Sequence, residues 1–544
     1  MLKFIYIISL ISLRFIYSQS SYEYYKIINE INSDTIKKHT HFLASDELEG
    51  RGLGSKGIQL AANYLADKFS EYNLLKIPGK NTYFQEIPMH ASLPLESSEL
   101  VIIQNENLIK LNYGEDYYLF KSGQQTYIPQ PLEIIFVGYG IVAPEYDYND
   151  YQSIDIEGKI AIYFDSEPIS SDENYFNGNK PTQYSLPEVK RRIAITRGAA
   201  GTILIPIERY TNWKDVQRDF EQENVSLAFD ITSNLSLIIN PNAVNLLFAN
   251  SDYSFDNILN MHFENKIKSF PLNSKLKFKG VFKERNFIEK NVLGIKKGTD
   301  KKLNESIIII SAHYDHLGIG KSISGDSIYN GALDNAIGVA VMLELARTLS
   351  KLNLKRTILF IATTGEEKGL LGSIYYCENP VFPLYKSVAN LNIDGIAFFR
   401  DFSSLIAVGK EFSNLGDFVK QSAQRFNLKV ENIPEFLLDF GAFNNSDHYA
   451  FANYGIPSII VLEGLDNKTL NREEVKNEFI DYFLNRYHTP FDDLNQNIDF
   501  VAAEKHAKVL FDLIYRLANS NEEIKWNNNS PFLKYYLRNL AEKK

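Results

Sequence analysis

Only one cysteine, Cys377, occurs among the 544 residues. No disulfide can form within the chain, so packed cores rather than cross-links must hold it together. With no His or Asn beside it in sequence, Cys377 reads as a small core residue and not as a catalytic thiol. The sequence also has no block of like charge. Its 57 Lys and Arg face 67 Asp and Glu, for a net charge of -10. That balance argues against nucleic acid and anionic membrane surfaces as partners. Beyond the first residues there is no apolar run long enough for a membrane span. What is present is ample core material: 44% hydrophobic and 13% aromatic residues. A chain of this length divides into two or three structural units.

The first residues read "MLKFIYIISLISLRFIYSQS". Lys3 supplies a short positive region, Phe4 to Leu13 an apolar one, and Ser18 and Ser20 small residues for cleavage. This predicts a signal peptide over residues 1–20 and a secreted or periplasmic protein. Arg14 interrupts the apolar stretch, and an N-terminal helix or anchor is the alternative.

Residues 22–77 show helical spacing, with "SKGIQLAANYLADKFSEYNL" opened by Ser55 and ending near Asn73. From about 95 to 272 the texture changes to short strand-like runs such as "EIIFVGYGIV", "GKIAIYF" and "GTILIPI" between turns, which predicts a β-rich module with few helices. From about 306, buried strands alternate with helices: "SIIIISAHYD", "NAIGVAVMLELARTLSKL", "RTILFIATTGEE", "VANLNIDGIA", "IPSIIVLEG" and a closing helix near 500–519. The fold class predicted is α/β, a mostly parallel or mixed sheet sandwiched by helices, with the β-rich module inserted. The final residues 521–544 read as a polar tail.

Sites in such sheets lie at the carboxyl ends of the strands. The run at 306–312 ends in His313 and Asp315; Asp334 precedes a helix; "TGEE" gives Glu366 and Glu367; another strand ends in Asp394; and "RYHTPFDDL" carries His488. Singly, each has a structural explanation. His313 could be hydrogen-bonded in place, Asp334 could cap its helix, the glutamates could be solvated, and Asp394 could make a turn with Gly395. Together they bring several carboxylates and two histidines to one sheet edge. Close carboxylates repel unless cations neutralise them. Without cysteine, a His/carboxylate set suits zinc, with cobalt or manganese also able to fill it. Two ions sharing a carboxylate need about five ligands, and His313, Asp334, Glu367, Asp394 and His488 supply them. Glu366 is then left over as a general base for water.

The segments "SAHYDHLG", "NGALDNAIGVA", "TGEEKGLLGS", "NLNIDGI" and "YHTPFDD" resemble, in this order, the motif set of the M28 family of co-catalytic zinc peptidases. The segment "HFLASDELEGRG…GSKGIQLAANYLADKF" is similar to the start of bacterial members. The stretch "EIIFVGYGIVAPEYDYNDYQSIDIEGKIAIYF" resembles a protease-associated (PA) domain. The resemblance implies a catalytic domain made of 21–94 and 273–520, with a PA-like domain at 95–272. It implies two zinc ions bridged by Asp334, one completed by His313 and Asp394, the other by Glu367 and His488. Glu366 would be the base, and Asp315 would orient His313 through the far ring nitrogen. The peptide bond after Asp334 would be cis. His316 matches no ligand position. Asp447 and His448, in "SDHYAF", are pocket-wall or structural candidates, and Tyr487 is a candidate oxyanion donor.

The implied activity is removal of N-terminal amino acids from peptides. A carboxypeptidase or dipeptidase is the alternative within the family; it would need arginines for a substrate carboxylate. Residues 313–335 and 436–450 contain none, while Arg400 and Arg472 lie elsewhere. A non-catalytic peptide-binding relative would be expected to have lost ligands or the base, and all six positions are present.

Overall fold

The protein is described by a computed structural model covering residues 22–543, apart from 120–125, 173, 177, 179–181, 208–211, 221–222, 231–233, 396–400 and 440–442. The expected signal peptide therefore lies outside the described residues, as does Arg400. No helix among the described residues is long and apolar enough to cross a membrane.

The chain forms two compact units: one from residues up to 87 together with 288 onward, the other from 88–287. Strands Phe84–Pro94 and Phe282–Lys296 carry the chain out of the first unit and back into it.

In the first unit the isoleucine run at 307–310 explains the architecture. Side chains alternate across a strand. Ile308 and Ile310 enter one core, with Phe360, Val339, Leu343 and Leu513. Ile307 and Ile309 enter another, with Leu359, Tyr376, Cys377 and Phe451. A strand apolar on both faces must be covered on both. Each isoleucine buried in this way contributes about 1.5–3 kcal/mol. Strand Ile307–His313 is flanked in parallel by Thr357–Thr363 and Ser387–Asn392, and Ser387–Asn392 by Ser458–Glu463. Antiparallel pairing brings in Phe282–Lys296 at one side and Ser404–Val408 at the other. The sheet is thus mixed, with a parallel centre.

Helices Ser33–Leu43, Lys56–Glu71, Ile337–Leu349 and Phe500–Asn519 bury apolar stripes in the first core. Ser55 caps its helix by accepting from the Ile58 amide, and Asp499 accepts from Val501 and Ala502. These caps satisfy amides that no helical carbonyl can reach. Helices Leu371–Glu378 and Asp447–Asn453 supply the second core.

The end of the chain is not the polar tail its composition suggests. Trp526 and Phe532 are buried against Ala452, Phe412, Phe443 and Tyr449, and the Trp526 indole N–H donates to Gly455 O at 3.0 Å. Two aromatics outweigh their polar neighbours, and the helix Leu533–Ala541 follows.

The second unit centres on a mixed sheet in which strands Tyr127–Phe136, Ile160–Phe164, Gly201–Ile205 and Leu235–Ile239 run parallel, with Phe270–Lys279 antiparallel to the first. It also holds helices Pro187–Thr196, Trp213–Phe220, Pro241–Phe248 and Phe255–Phe263. Their shortness, two turns or so each, hid their periodicity among the strands.

Candidate metal centre

The parallel strands of the first unit deliver their polar ends to one edge. His313 is the last residue of its strand, with its side chain buried. Its Nε2 lies 3.1 Å from Asp334 Oδ1 and 3.7 Å from Asp394 Oδ1. The other oxygen of Asp334 is 3.3 Å from His488 Nε2, which is itself 3.0 Å from Glu367 Oε2. Asp334 therefore stands between two groups, His313 with Asp394 and His488 with Glu367. Glu366 joins the first: donor atoms of His313, Glu366 and Asp394 all fall within 4.8 Å of one another, as do those of His313, Asp334 and Glu367. Asp394 and His488 retain 19% and 26% of their side-chain exposure, so the cluster opens to solvent on their side.

Local backbone explains how each side chain arrives. Asp334 does not cap the helix that follows; that helix has no side-chain cap. The Asp334–Asn335 peptide is cis. The Leu333 and Asp334 amides donate to the Asp492 carboxylate at 2.9 and 3.0 Å, and Asn335 Nδ2 donates to Ile393 O at 2.8 Å. His488 has φ 57, the left-handed region that few non-glycine residues adopt, and Tyr487 stacks on its ring at 3.8 Å.

Asp315 stands beside His313, but through a different atom than expected. The His313 Nδ1 hydrogen bond goes to the main-chain O of Asp315 at 3.2 Å, while the nearer carboxylate oxygen is 3.9 Å away. The carboxylate accepts from the amides of Glu366 and Glu367 at 3.2 and 3.3 Å. Asp315 thus ties His313 to the loop that bears both glutamates: its side-chain oxygens accept from their amides, and its carbonyl takes the ring.

Other residues sustain the site without having been singled out from the sequence. Arg51 is buried and donates to Tyr314 O, Leu43 O, Asn330 O and Gly331 O, joining the loop after His313 to the loop before Asp334. Below Asp394 runs a chain of donors: Asn390 Nδ2 to Ser311 Oγ (2.9 Å), Ser311 to Asn392 Oδ1, Asn392 Nδ2 to Ser446 Oγ, and Ser446 to Asp394 Oδ2 (2.7 Å each). Polar residues at alternate positions of the buried strand "NLNID" were the available signal. Asp447 is buried and accepts from the Thr363 hydroxyl; His448 is buried with its ring against the edge of Phe443. His316 was set aside from the sequence, yet its Nδ1 lies 2.6 Å from Glu367 Oε1.

The cluster holds more negative charge than its surroundings neutralise. Burial pushes the Glu366 carboxyl well above its usual range, and Glu367, Asp394 and Asp447 push the same way. Burial also lifts Asp315, to about 7. Burial opposes protonation of His313, yet Glu366, Asp334 and Asp394 drive it well above its ordinary value. His488 rises to about 10 against the same opposition, through Glu367 and Asp334. Glu367 is drawn down to about 2 by His488 and His316, against burial. His313 Nε2 and His488 Nε2 are buried and make no hydrogen bond of good geometry, although carboxylates face both. Nitrogen and oxygen donors that converge this closely, with ring nitrogens left over, fit a divalent cation.

These features define an α/β domain with a carboxylate–histidine centre at the carboxyl ends of its parallel strands. Residues 291–514 match the model of Peptidase family M28. Aminopeptidase YwaD of Bacillus subtilis (strain 168) is 31% identical over 210 residues, 38% of this chain and 40% of that protein. A probable zinc metalloprotease of Pyrenophora tritici-repentis is 38% identical over 88 residues, 16% of this chain and 18% of that protein. The alignments thus span less than half the length of these curated relatives. Among solved structures, the aminopeptidase from Aneurinibacillus sp. strain AM-1 shares the fold with a TM-score of 0.52, at 20% identity, over 93% of this chain and 99% of that one.

Proposed function

We propose that the chain is a zinc-dependent aminopeptidase, and that His313, Asp334 and Asp394 hold one zinc ion while Asp334, Glu367 and His488 hold a second. The observation that carries this reading is the position of Asp334, one carboxylate oxygen facing each histidine group, with Glu366 buried beside the first and needed by neither set. Zinc in such a site supplies Lewis acidity and makes water a stronger acid. Glu366 takes the proton of the attacking water on a carboxylate oxygen and returns it to the leaving amine. Asp315 keeps Glu366 and Glu367 in place through their amides, and Tyr487, whose ring stacks on His488, is the candidate donor for the developing oxyanion. The substrate is a peptide with a free amino terminus, and residues 95–272 are a PA-like insert. Export of the protein rests on the sequence of residues 1–20.

Aminopeptidase over carboxypeptidase is favoured by two arginines among the described residues, neither of them left over for a substrate carboxylate. Arg51 is consumed by carbonyls, and Arg472 pairs with Glu431 and Asp466. The test is a panel of free-amine and N-blocked peptides, with and without zinc. Free-amine substrates alone should be cleaved, a chelator should abolish turnover, and zinc should restore it. Cleavage of N-blocked peptides would refute the polarity. Glu366→Gln should keep its zinc, measured by metal analysis, and lose at least about 10²-fold in kcat; full activity in that variant would remove Glu366 from its role.

A further inference from the structure

We propose that His316 is a positioning residue for Glu367: its Nδ1–H holds one carboxylate oxygen so that the other is presented to the metal. This rests on the zinc reading above and deepens it.

The geometry splits the carboxylate in two. Glu367 Oε1 lies 2.6 Å from His316 Nδ1, and Oε2 lies 3.0 Å from His488 Nε2. A nitrogen and a carboxylate oxygen at that separation share a proton, and a charge-assisted bond of this length is strong and directional. A glutamate side chain has three torsions and can offer either oxygen or both. A fixed donor on one oxygen removes that freedom before any ion arrives.

His316 is itself held firmly. Its side chain has no solvent exposure, and its main-chain N–H donates to Arg51 O at 3.2 Å. The ring lies against Gly331, where a Cβ would come within 2.5 Å of the imidazole Cγ. The ring also meets the His488 ring edge-on, at 5.8 Å and 62°. The same Nδ1 is 3.8 Å from Asp334 Oδ2, beyond hydrogen-bond reach, so its donor belongs to Glu367. The ring thus behaves as a wedge between the loop that bears Asp334 and the loop that bears Glu367.

The test compares variants by shape and donor. Asn places an amide N–H near the position of Nδ1, and Leu has nearly the same shape without the donor. Zinc affinity is measured on the full chain by competition with a chromogenic chelator. His316→Leu should bind zinc about 10–100-fold more weakly than wild type, and His316→Asn should return close to wild-type affinity. Wild-type affinity in the Leu variant would overturn the proposal. So would equal weakening in both, the result expected if His316 were a ligand or only filled space. If His316→Leu does not fold, His316→Gln replaces it: Gln carries its amide one bond further out and should bind weakly while Asn binds tightly. Should wild type itself take up no zinc, the metallopeptidase reading fails together with this one; loss confined to the variants' pattern fails this one alone.

Discussion

His448 shows how a single residue outside the ligand set leaves a measurable trace. Its ring is buried, both nitrogens lack a hydrogen-bond partner among the described residues, and burial holds its pKa down at about 3. In the unfolded chain an imidazole takes a proton near pH 6.5. Between about pH 6.5 and 3 the unfolded state therefore binds more protons than the folded one, and stability must fall as pH drops through that window. The slope is at most ~1.4 kcal/mol per pH unit. His448→Phe, which keeps an aromatic ring against Phe443, should remove this part of the acid sensitivity. Urea unfolding at pH 7 and pH 5 checks it: wild type should lose stability that the variant keeps, and parallel losses would refute the assignment. Neither nitrogen is spent on a carboxylate, so "SDHYAF" contributes a neutral, buried ring and not a ligand.

At the scale of elements, the loop before helix Ile337–Leu349 is the most tightly determined. Gly331 has φ 57, and a Cβ there would sit 2.1 Å from Asp334 O as well as against His316. Gly331→Ala should cost about 1–3 kcal/mol through backbone strain and should also weaken zinc binding, since both His316 and Asp334 must shift. Equilibrium denaturation with zinc titration checks the pair; lost stability with unchanged zinc affinity would mean that the loop relaxes away from the site. Much of this region was legible beforehand. Strand ends carry chemistry for topological reasons, so His313, Glu367 and Asp394 could be located from hydrophobic runs alone. The cis bond after Asp334 came from family resemblance, since no periodicity encodes it. What stayed hidden was support drawn from far along the chain. Arg51 lies in a segment rich in charge and glycine, and Asp492 is one of two adjacent acids shortly after His488. Neither carries a local signal for the backbone groups it reaches. The tail failed differently: averaging over residues 521–544 concealed the two aromatics that fasten it.

For the whole molecule, two units with separate cores should respond separately to the ion. Adding zinc to metal-free protein should slow amide hydrogen exchange in 307–313 and 331–336, where the ligands sit, because a ligand stabilises only the states that bind it. Exchange in 160–164 and 201–205 should not change. Equal slowing in both sets would place zinc elsewhere or show one cooperative unit.

The discontinuity of the first unit also sets an order of events at the ribosome. Arg51 finds Gly331 only 280 positions later. At roughly 5–20 residues per second, the early helices wait on the order of tens of seconds for the strands that cover them. In that interval residues 88–287 emerge entire and can fold. The newborn amphipathic helices, with Leu43, Ile58 and Leu65 unsheltered, are the clients that a chaperone would meet first.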